Sequence, residues 1–146
     1  MYMKKIIIIP AYNEEESILS VYKSIISYNK KNNCDYDVVV INDGSTDNTE
    51  DILLNNNIPH INLINNLGIG GAIQTGYKYA FDNDYDIAIQ FDGDGQHDAS
   101  YISDLIKPIK EKRANLVVGS RFVWDKREFK STAMRRFGIN VLSFLY

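Results

Sequence analysis

The chain is poor in several residue types, and each shortage excludes a class of protein. Cys34 is the single cysteine among 146 residues, so the chain has neither an internal disulfide nor a cysteine-based metal cluster. One free cysteine is typical of a protein from a reducing compartment, and we expect Cys34 to be a small, half-buried side chain. The sequence also contains no run of about 18 apolar residues, which a membrane-spanning helix requires.

Positive charge is scarce in the first 106 residues, which hold 6 Lys and Arg against 16 Asp and Glu. This part therefore lacks the basic stripe with interleaved aromatic residues that nucleic-acid-binding proteins show, and we expect no nucleic-acid partner. Residues 107–146 have the opposite balance, with 10 Lys and Arg against 3 Asp and Glu. We expect this basic part to face the anionic phosphates of a substrate or of a membrane surface. The alternative for the lysines at positions 107, 110 and 112 is a solvated helix face.

The first ten residues predict no targeting segment. The apolar run Ile6–Ile9 is far shorter than the core of a signal peptide, and Pro10 ends it. With 45% hydrophobic and 24% charged residues, the composition predicts one soluble domain with its own core. We expect a cytoplasmic protein, or one at the cytoplasmic face of a membrane.

Short apolar runs alternate with segments of helical periodicity, which predicts an α/β fold with a mostly parallel sheet. We expect strands at residues 4–9, 36–41, 60–64, 85–91 and 115–118. The helices are expected at residues 15–31, 46–55, 70–83 and 99–113. Short polar side chains precede three of these helices and predict N-caps at Asn13, Ser45 and Asp98.

Polar residues follow three of the predicted strands. Residues 10–14 come after the first strand, residues 42–47 after the second, and Asp92-Gly93-Asp94 after the fourth. In an open parallel sheet the loops at the carboxyl ends of the strands converge, and ligands bind there. Two carboxylates separated by glycine are suited to hold a divalent cation against a diphosphate, because Mg²⁺ takes only one or two protein carboxylates. The alternative is a solvated turn, since Asp and Gly are common turn formers.

Five segments occur in an order that resembles one known family. They are Ile8–Glu15, Val40–Thr49, Asn65–Ala72, Asp92–His97 and Gly119–Arg121. Together they are similar to the signatures of family 2 glycosyltransferases, which have the GT-A fold, a Rossmann-like, mostly parallel sheet flanked by helices. The Asp-x-Asp-Gly-Gln-His form and the Gly-Ile-Gly-Gly-Ala segment are most similar to the branch that makes dolichyl-phosphate or undecaprenyl-phosphate sugars. The resemblance covers residues 3–136.

This resemblance implies roles for individual residues. It assigns the nucleoside pocket to Pro10, Ala11, Tyr12 and Glu14, the nucleotide base to Asp43, and the surroundings of the sugar-diphosphate to the segment that contains Gly70. Asp92 and Asp94 would flank Mg²⁺ or Mn²⁺ and the diphosphate, with Gln96 as a further metal ligand. Asp94, Arg121 and Arg135 are the predicted catalytic residues, the two arginines contacting phosphates through their guanidinium forks.

Some of these assignments have alternatives. Tyr12 is otherwise a packing residue, Arg135 a surface arginine, and Arg136 is an equal candidate for the role of Arg135. A dinucleotide-binding fingerprint fails, because Ile73 stands where that pattern needs its last glycine. His97 beside Asp98 is either an acid/base group or a hydrogen-bonding brace.

The resemblance implies an inverting glycosyltransferase that moves a sugar from a nucleotide-diphosphate sugar to a polyprenyl phosphate. A sugar hydroxyl of a glycan is the alternative acceptor, and a non-catalytic nucleotide-sugar-binding module is the alternative function. We expect residues 1–122 to form the donor-binding core and residues 123–146 to begin an acceptor- or membrane-proximal segment. The apolar end at 141–146 departs from the family pattern, so we expect a fold truncated at its C-terminus. Residues 126–146, basic and then apolar, predict peripheral membrane contact.

Overall fold

The computed structural model describes residues 3–95 and 98–119. The chain divides into two compact units, Met1–Ile106 and Lys107–Tyr146, and each is described by itself. In the first unit, four strands form one sheet: β1 (Lys5–Ala11), β2 (Asp37–Asn42), β3 (His60–Asn62) and β4 (Ile87–Gln90). The helices are α1 (Ile18–Asn32), α2 (Thr49–Asn55), α3 (Gly68–Asp82), a 3₁₀ turn (Ala99–Tyr101) and α4 (Ile102–Lys110), which continues into the second unit.

All four strands are parallel, in the order β3-β2-β1-β4. The chain moves outward from β1 to β3 and then returns through α3 to the other side of β1. The direction therefore reverses between β1 and β4, and such a switch point opens a crevice at the carboxyl ends of the two strands. The predicted α/β fold with a parallel sheet is confirmed.

The core forms on β1, where every residue from Lys5 to Ile9 is buried. A strand buried on both faces reads as a continuous apolar run, as this one does. Ile6 and Ile8 pack with Val39 and Ile41 of β2 and with the small residues Ala72 and Ala80 of α3. Because alternate residues point to opposite faces, Ile7 and Ile9 face the other side of the sheet.

Two of the three predicted helix caps are wrong. The α1 and α2 helices begin at Ile18 and Thr49, each about three residues later than the sequence predicts. Asn13 and Ser45 lie outside both helices. Asn13 Oδ1 accepts from Thr46 N, and Ser45 Oγ accepts from Asn13 N, so neither side chain bonds to the helix that follows it. Asp98 does cap its turn: its Oδ1 accepts from Ser100 N at 2.8 Å. This bond from Ser100 holds the pKa of Asp98 below its ordinary value.

The fifth predicted strand is also wrong. Residues 115–119 form no strand, and the side chains of Leu116 and Val118 are 78% and 79% exposed. An apolar alternation becomes a strand only where a neighbouring strand supplies ladder hydrogen bonds, and within residues 3–95 and 98–119 none pairs with this segment. No helix in the same ranges is long and apolar enough to cross a membrane.

Candidate nucleotide-sugar site

A cavity of about 430 Å³ lies in the first unit, among the loops that follow β1, β2, β3 and β4. It is walled by Pro10, Ala11, Tyr12, Glu14, Asp43, Asn66, Gly68, Ile69, Ala72, Asp92, Gly93 and Asp94. Seven of the residues that the sequence assigns to substrate or metal are among them, drawn from the end of β1 and from three separate loops. The structure therefore brings these seven together, while their individual roles stay predictions.

The β1 loop contributes Tyr12 and Glu14. The Tyr12 side chain is 47% exposed, so it is not buried in the core as a packing residue would be. Glu14 accepts a hydrogen bond from the Ser17 hydroxyl at 2.5 Å, which fixes one oxygen of its carboxylate. An exposed ring beside a carboxylate offers a flat apolar surface and an acceptor, which together suit a nucleoside.

Asp43 follows β2 and is only 3% exposed. Its Oδ1 accepts from the backbone N–H of Leu67 at 2.8 Å, and its own N–H donates to the carbonyl of Ala11. A buried carboxylate requires such partners, because an unpaired one costs several kcal/mol or more. Asp43 thus joins the β2 loop to the segment that begins α3.

Gly44 makes the close approach of those two segments feasible. Its φ is +68°, and a Cβ at this position would lie 2.8 Å from the backbone nitrogen of Asn66. Only glycine combines this left-handed backbone with such proximity at no steric cost. The sequence indicates a turn here, but the contact with Asn66, 22 residues away, is beyond any local pattern.

The β4 loop brings Asp92 and Asp94 to the cavity. Asp92 Oδ1 accepts from Gln90 Nε2 at 3.2 Å, whereas the Asp94 side chain is exposed. Gly93 lies between them, and a Cβ there would be 3.0 Å from the carbonyl oxygen of Pro10. Gly93 also lines the cavity, where the sequence predicts a glycine that lets the backbone bend close to a ligand. This glycine between two aspartates lets the loop pass directly over the end of β1.

One other predicted residue does not line the cavity, and the remaining ones lie outside the residues that the structure describes. Gly70 is in the first turn of α3 and does not line the cavity, whereas other residues of the same predicted segment do, namely Asn66, Gly68, Ile69 and Ala72. Gln96 and His97, together with Arg121, Arg135 and Arg136, lie outside the described residues. Among residues 3–95 and 98–119, no group of three His, Cys, Asp or Glu side chains is placed to hold a metal ion.

The chain is similar to known glycosyltransferases over most of its length. The sequence model of the family described as Glycosyl transferase family 2 matches residues 6–145. The UDP-N-acetylglucosamine–dolichyl-phosphate N-acetylglucosaminyltransferase of Methanococcus voltae is 34% identical over 95% of this chain and 61% of its own length. The undecaprenyl-phosphate mannosyltransferase of Micrococcus luteus is 30% identical over 83% of this chain and 49% of its own. The chain therefore spans about half to three fifths of the length of these curated relatives.

Solved structures show the same fold. Glucosyl-3-phosphoglycerate synthase from Mycobacterium tuberculosis, in complex with Mn²⁺, UDP-glucose and phosphoglyceric acid, is 26% identical with a TM-score of 0.56. The match covers 73% of this chain and 39% of the synthase. The family match over nearly the whole chain and the identity to these relatives lead to one conclusion: the chain belongs to glycosyl transferase family 2.

Proposed function

We propose that this chain carries the donor site of an inverting glycosyltransferase, which moves a sugar from a nucleotide-diphosphate sugar to a polyprenyl phosphate. The observation that carries the proposal is a cavity at the carboxyl edge of the sheet, walled in part by Tyr12, Asp43, Asp92 and Asp94. Its volume of about 430 Å³ suits part of a nucleotide sugar. The two named relatives that act on dolichyl and undecaprenyl phosphates support the choice of acceptor.

Different groups of the protein bind different parts of the donor. Tyr12 and Asp43 bind the nucleoside, the ring by contact and the carboxylate by accepting a hydrogen bond from the base. The α3 helix begins at the cavity with Gly68 and Ile69. Gly68 N already donates to Asn66 Oδ1 at 2.9 Å, so the following N–H groups of the first turn are the proposed donors to phosphate oxygens. Binding by these groups orients the diphosphate as the leaving group.

A divalent cation fits the residues of the β4 loop. Asp92 and Asp94 supply two carboxylates, and Mg²⁺ usually takes one or two carboxylates from a protein. Asp92, Asp94 and Gln96 would hold Mg²⁺ or Mn²⁺. A bound cation would neutralise negative charge on the departing diphosphate. The Mn²⁺ in the mycobacterial synthase complex supports this proposal.

A polyprenyl phosphate is a suitable acceptor because it needs no general base. Its phosphate oxygen is already ionised near neutral pH. That oxygen forms the bond to the anomeric carbon as the bond from this carbon to the diphosphate breaks, and the diphosphate leaves with the electron pair. Arg121 and Arg135 are the proposed phosphate contacts. A sugar hydroxyl would have to lose a proton, and its transfer would need a base.

Calorimetry with UDP-, GDP- and dTDP-sugars, with and without Mn²⁺, tests donor binding. We expect one donor to bind in a metal-dependent manner, and Asp94→Ala to remove that dependence. The fold should persist, because the Asp94 side chain is exposed. Asp51→Ala is the matched control, since Asp51 is an exposed carboxylate on α2 outside the cavity. Native affinity and metal dependence in Asp94→Ala would refute the metal role.

An assay of sugar transfer distinguishes a polyprenyl-phosphate acceptor from a glycan acceptor. Transfer to a short-chain polyprenyl phosphate supports the proposal, whereas transfer only to a glycan hydroxyl supports the alternative acceptor. Donor binding without transfer, in this chain and in any longer native form, would leave a non-catalytic module. A longer form that turns over while the 146-residue chain only binds would place the acceptor site beyond these residues.

A further inference from the structure

Two loops at the carboxyl edge are joined by an unusually regular set of side-chain hydrogen bonds. The β1 loop offers three consecutive backbone N–H groups, and each donates to a different side chain of the β2 loop. Asn13 N donates to Ser45 Oγ at 3.0 Å, Glu14 N to Thr49 Oγ1 at 2.9 Å, and Glu15 N to Asp47 Oδ2 at 3.1 Å. We call these two loops and their bonds the loop clamp.

The bonds also run in the opposite direction. Thr46 N donates to Asn13 Oδ1 at 2.8 Å. Asn48 donates to Glu15 Oε2 twice, from its backbone N at 3.0 Å and from Nδ2 at 2.6 Å. Side chains of each loop thus satisfy the backbone of the other, so neither loop can shift without breaking bonds in both.

Asp47 is the most heavily used acceptor of the loop clamp. Its Oδ2 takes the bond from Glu15 N, and its Oδ1 takes bonds from Thr49 N at 2.9 Å and Thr49 Oγ1 at 2.6 Å. Thr49 is fully buried, which anchors this end of the loop clamp in the core. Partial desolvation acts to raise the pKa of Asp47, but the bonds from Thr49 and Glu15 outweigh it and the pKa lies below its ordinary value.

Along the β1 loop, the side chains of Asn13 and Glu15 take part in these bonds, and the two residues flank the cavity residue Glu14, whose own N–H is also bonded. Tyr12 and Glu14 line the cavity, whereas Asn13, Glu15 and Asp47 line a second cavity that shares Glu14 and Asp94 with the first. We infer that Asp47 and Glu15 are positioning residues, which fix Tyr12 and Glu14 against the Asp43 side of the cavity and so preorganise the nucleoside site. This inference rests on the proposed function and adds residues to its donor site.

The two carboxylates differ in a way that makes the inference testable. Glu15 uses one oxygen, Oε2, for both of its bonds, so Glu15→Gln can keep both through its amide oxygen. Asp47 uses both oxygens, so Asp47→Asn must turn an NH₂ group toward a backbone N–H on one side. Both substitutions remove one negative charge. Glu15→Gln and Glu15→Ala remove the charge at the same position, so a difference between those two variants reports hydrogen bonding and not the field of the charge on an anionic donor.

The experiment measures nucleotide affinity by calorimetry at 10 °C, with a thermal melt of each unliganded variant. UDP, GDP and dTDP with Mn²⁺ are the probes. We expect Asp47→Asn to weaken binding of the preferred nucleotide about tenfold, with Glu15→Gln retaining most of the affinity. Glu15→Ala should weaken binding as Asp47→Asn does. Because Glu15 is exposed, this variant should fold even if Asp47→Asn does not. Asp51→Asn is the charge-matched control.

The outcomes distinguish the inference from the proposed function. Native affinity in folded Asp47→Asn and Glu15→Ala, with or without a lower melting temperature, would overturn the positioning role and leave the donor site standing. Equal losses in Glu15→Gln and Glu15→Ala would also overturn it, because charge alone would then explain both. If the unmodified chain binds none of the nucleotides, the proposed function fails and the inference falls with it.

Discussion

At the scale of single residues, Asp43 has both a structural bond and a predicted ligand contact. Its Oδ1 holds Leu67 N at 2.8 Å, and Gly44 beside it allows the same close approach of Asn66. The carboxylate therefore shapes the cavity even before a nucleotide binds. Any test of the predicted contact with the base must leave the bond to Leu67 intact.

Two substitutions separate these roles of Asp43. Asp43→Ala should destabilise the fold by about 1–3 kcal/mol, because it leaves a partly buried N–H without an acceptor. Asp43→Asn keeps an oxygen for Leu67, so its melting temperature should stay close to native. It should still weaken UDP, GDP or dTDP binding more than binding of inorganic diphosphate, because an amide replaces a carboxylate beside the base. Equal losses for nucleotide and diphosphate in Asp43→Asn would contradict the assignment to the base.

Much of the site could be predicted from single residues, for a physical reason. Loops at the carboxyl ends of parallel strands converge, so Tyr12, Asp43 and Asp94 were expected to meet and do so in one cavity. The loop clamp could not be predicted in this way. Asn13 and Ser45 are residue types that often cap helices, but the partners of their side chains lie 33 and 32 residues away in sequence. A pattern of neighbouring residues does not show that a distant backbone group competes with the helix for these side chains.

At the scale of elements, two glycines of α3 differ in how much space surrounds them. Gly76 packs directly on β1, where a Cβ would lie 2.3 Å from Ile8 Cγ2. Ile8 is fully buried, so it has no space to move away. Gly70 in the first turn has nothing within 4 Å of its missing Cβ. The close contact at Gly76 explains how a helix can lie so near the strand that positions the cavity.

Alanine at these two positions should have opposite effects on stability. Gly70→Ala should be neutral or stabilise by up to about 1 kcal/mol, because alanine is the better helix former. Gly76→Ala gains the same propensity but should destabilise by about 1–3 kcal/mol, because its methyl group overpacks the core. Urea unfolding measures both effects as shifts in the transition midpoint. Midpoints that move equally in both variants would show that α3 does not pack on Ile8 as described.

The same pair also tests the predicted donor contact at Gly70. If the diphosphate passes close to this turn, Gly70→Ala should weaken UDP-sugar binding while leaving the fold as stable as before. Calorimetry on the two variants separates this effect from a change in stability. Donor affinity that is unchanged in Gly70→Ala would place the contact at Gly68 and Ile69 alone, which already line the cavity.

At the scale of the whole molecule, the charges are divided along the chain. The cavity lies within an acidic part, residues 1–106, whereas residues 107–146 carry 10 Lys and Arg against 3 Asp and Glu. The curated relatives named above are longer than this chain by a wide margin. This division fits a donor site built by the first part and an acceptor contact that begins in the second. A lipid-linked phosphate would have to be met at a membrane surface, where basic residues are attracted to anionic lipids.

We therefore expect the full chain to sediment with anionic vesicles through residues 126–146, a segment outside the described residues. Each Lys or Arg near such a surface contributes on the order of 1 kcal/mol, and the apolar end adds hydrophobic burial. Replacing Lys126, Arg127 and Lys130 with glutamine should reduce binding, and added salt should weaken it. Glutamine at Lys30 and Lys31 is the control, because these lysines are exposed on α1 in the acidic part. Equal binding to neutral vesicles would indicate apolar insertion without charge. No binding to vesicles of any composition would refute membrane contact by this segment and would weaken the case for a lipid-linked acceptor.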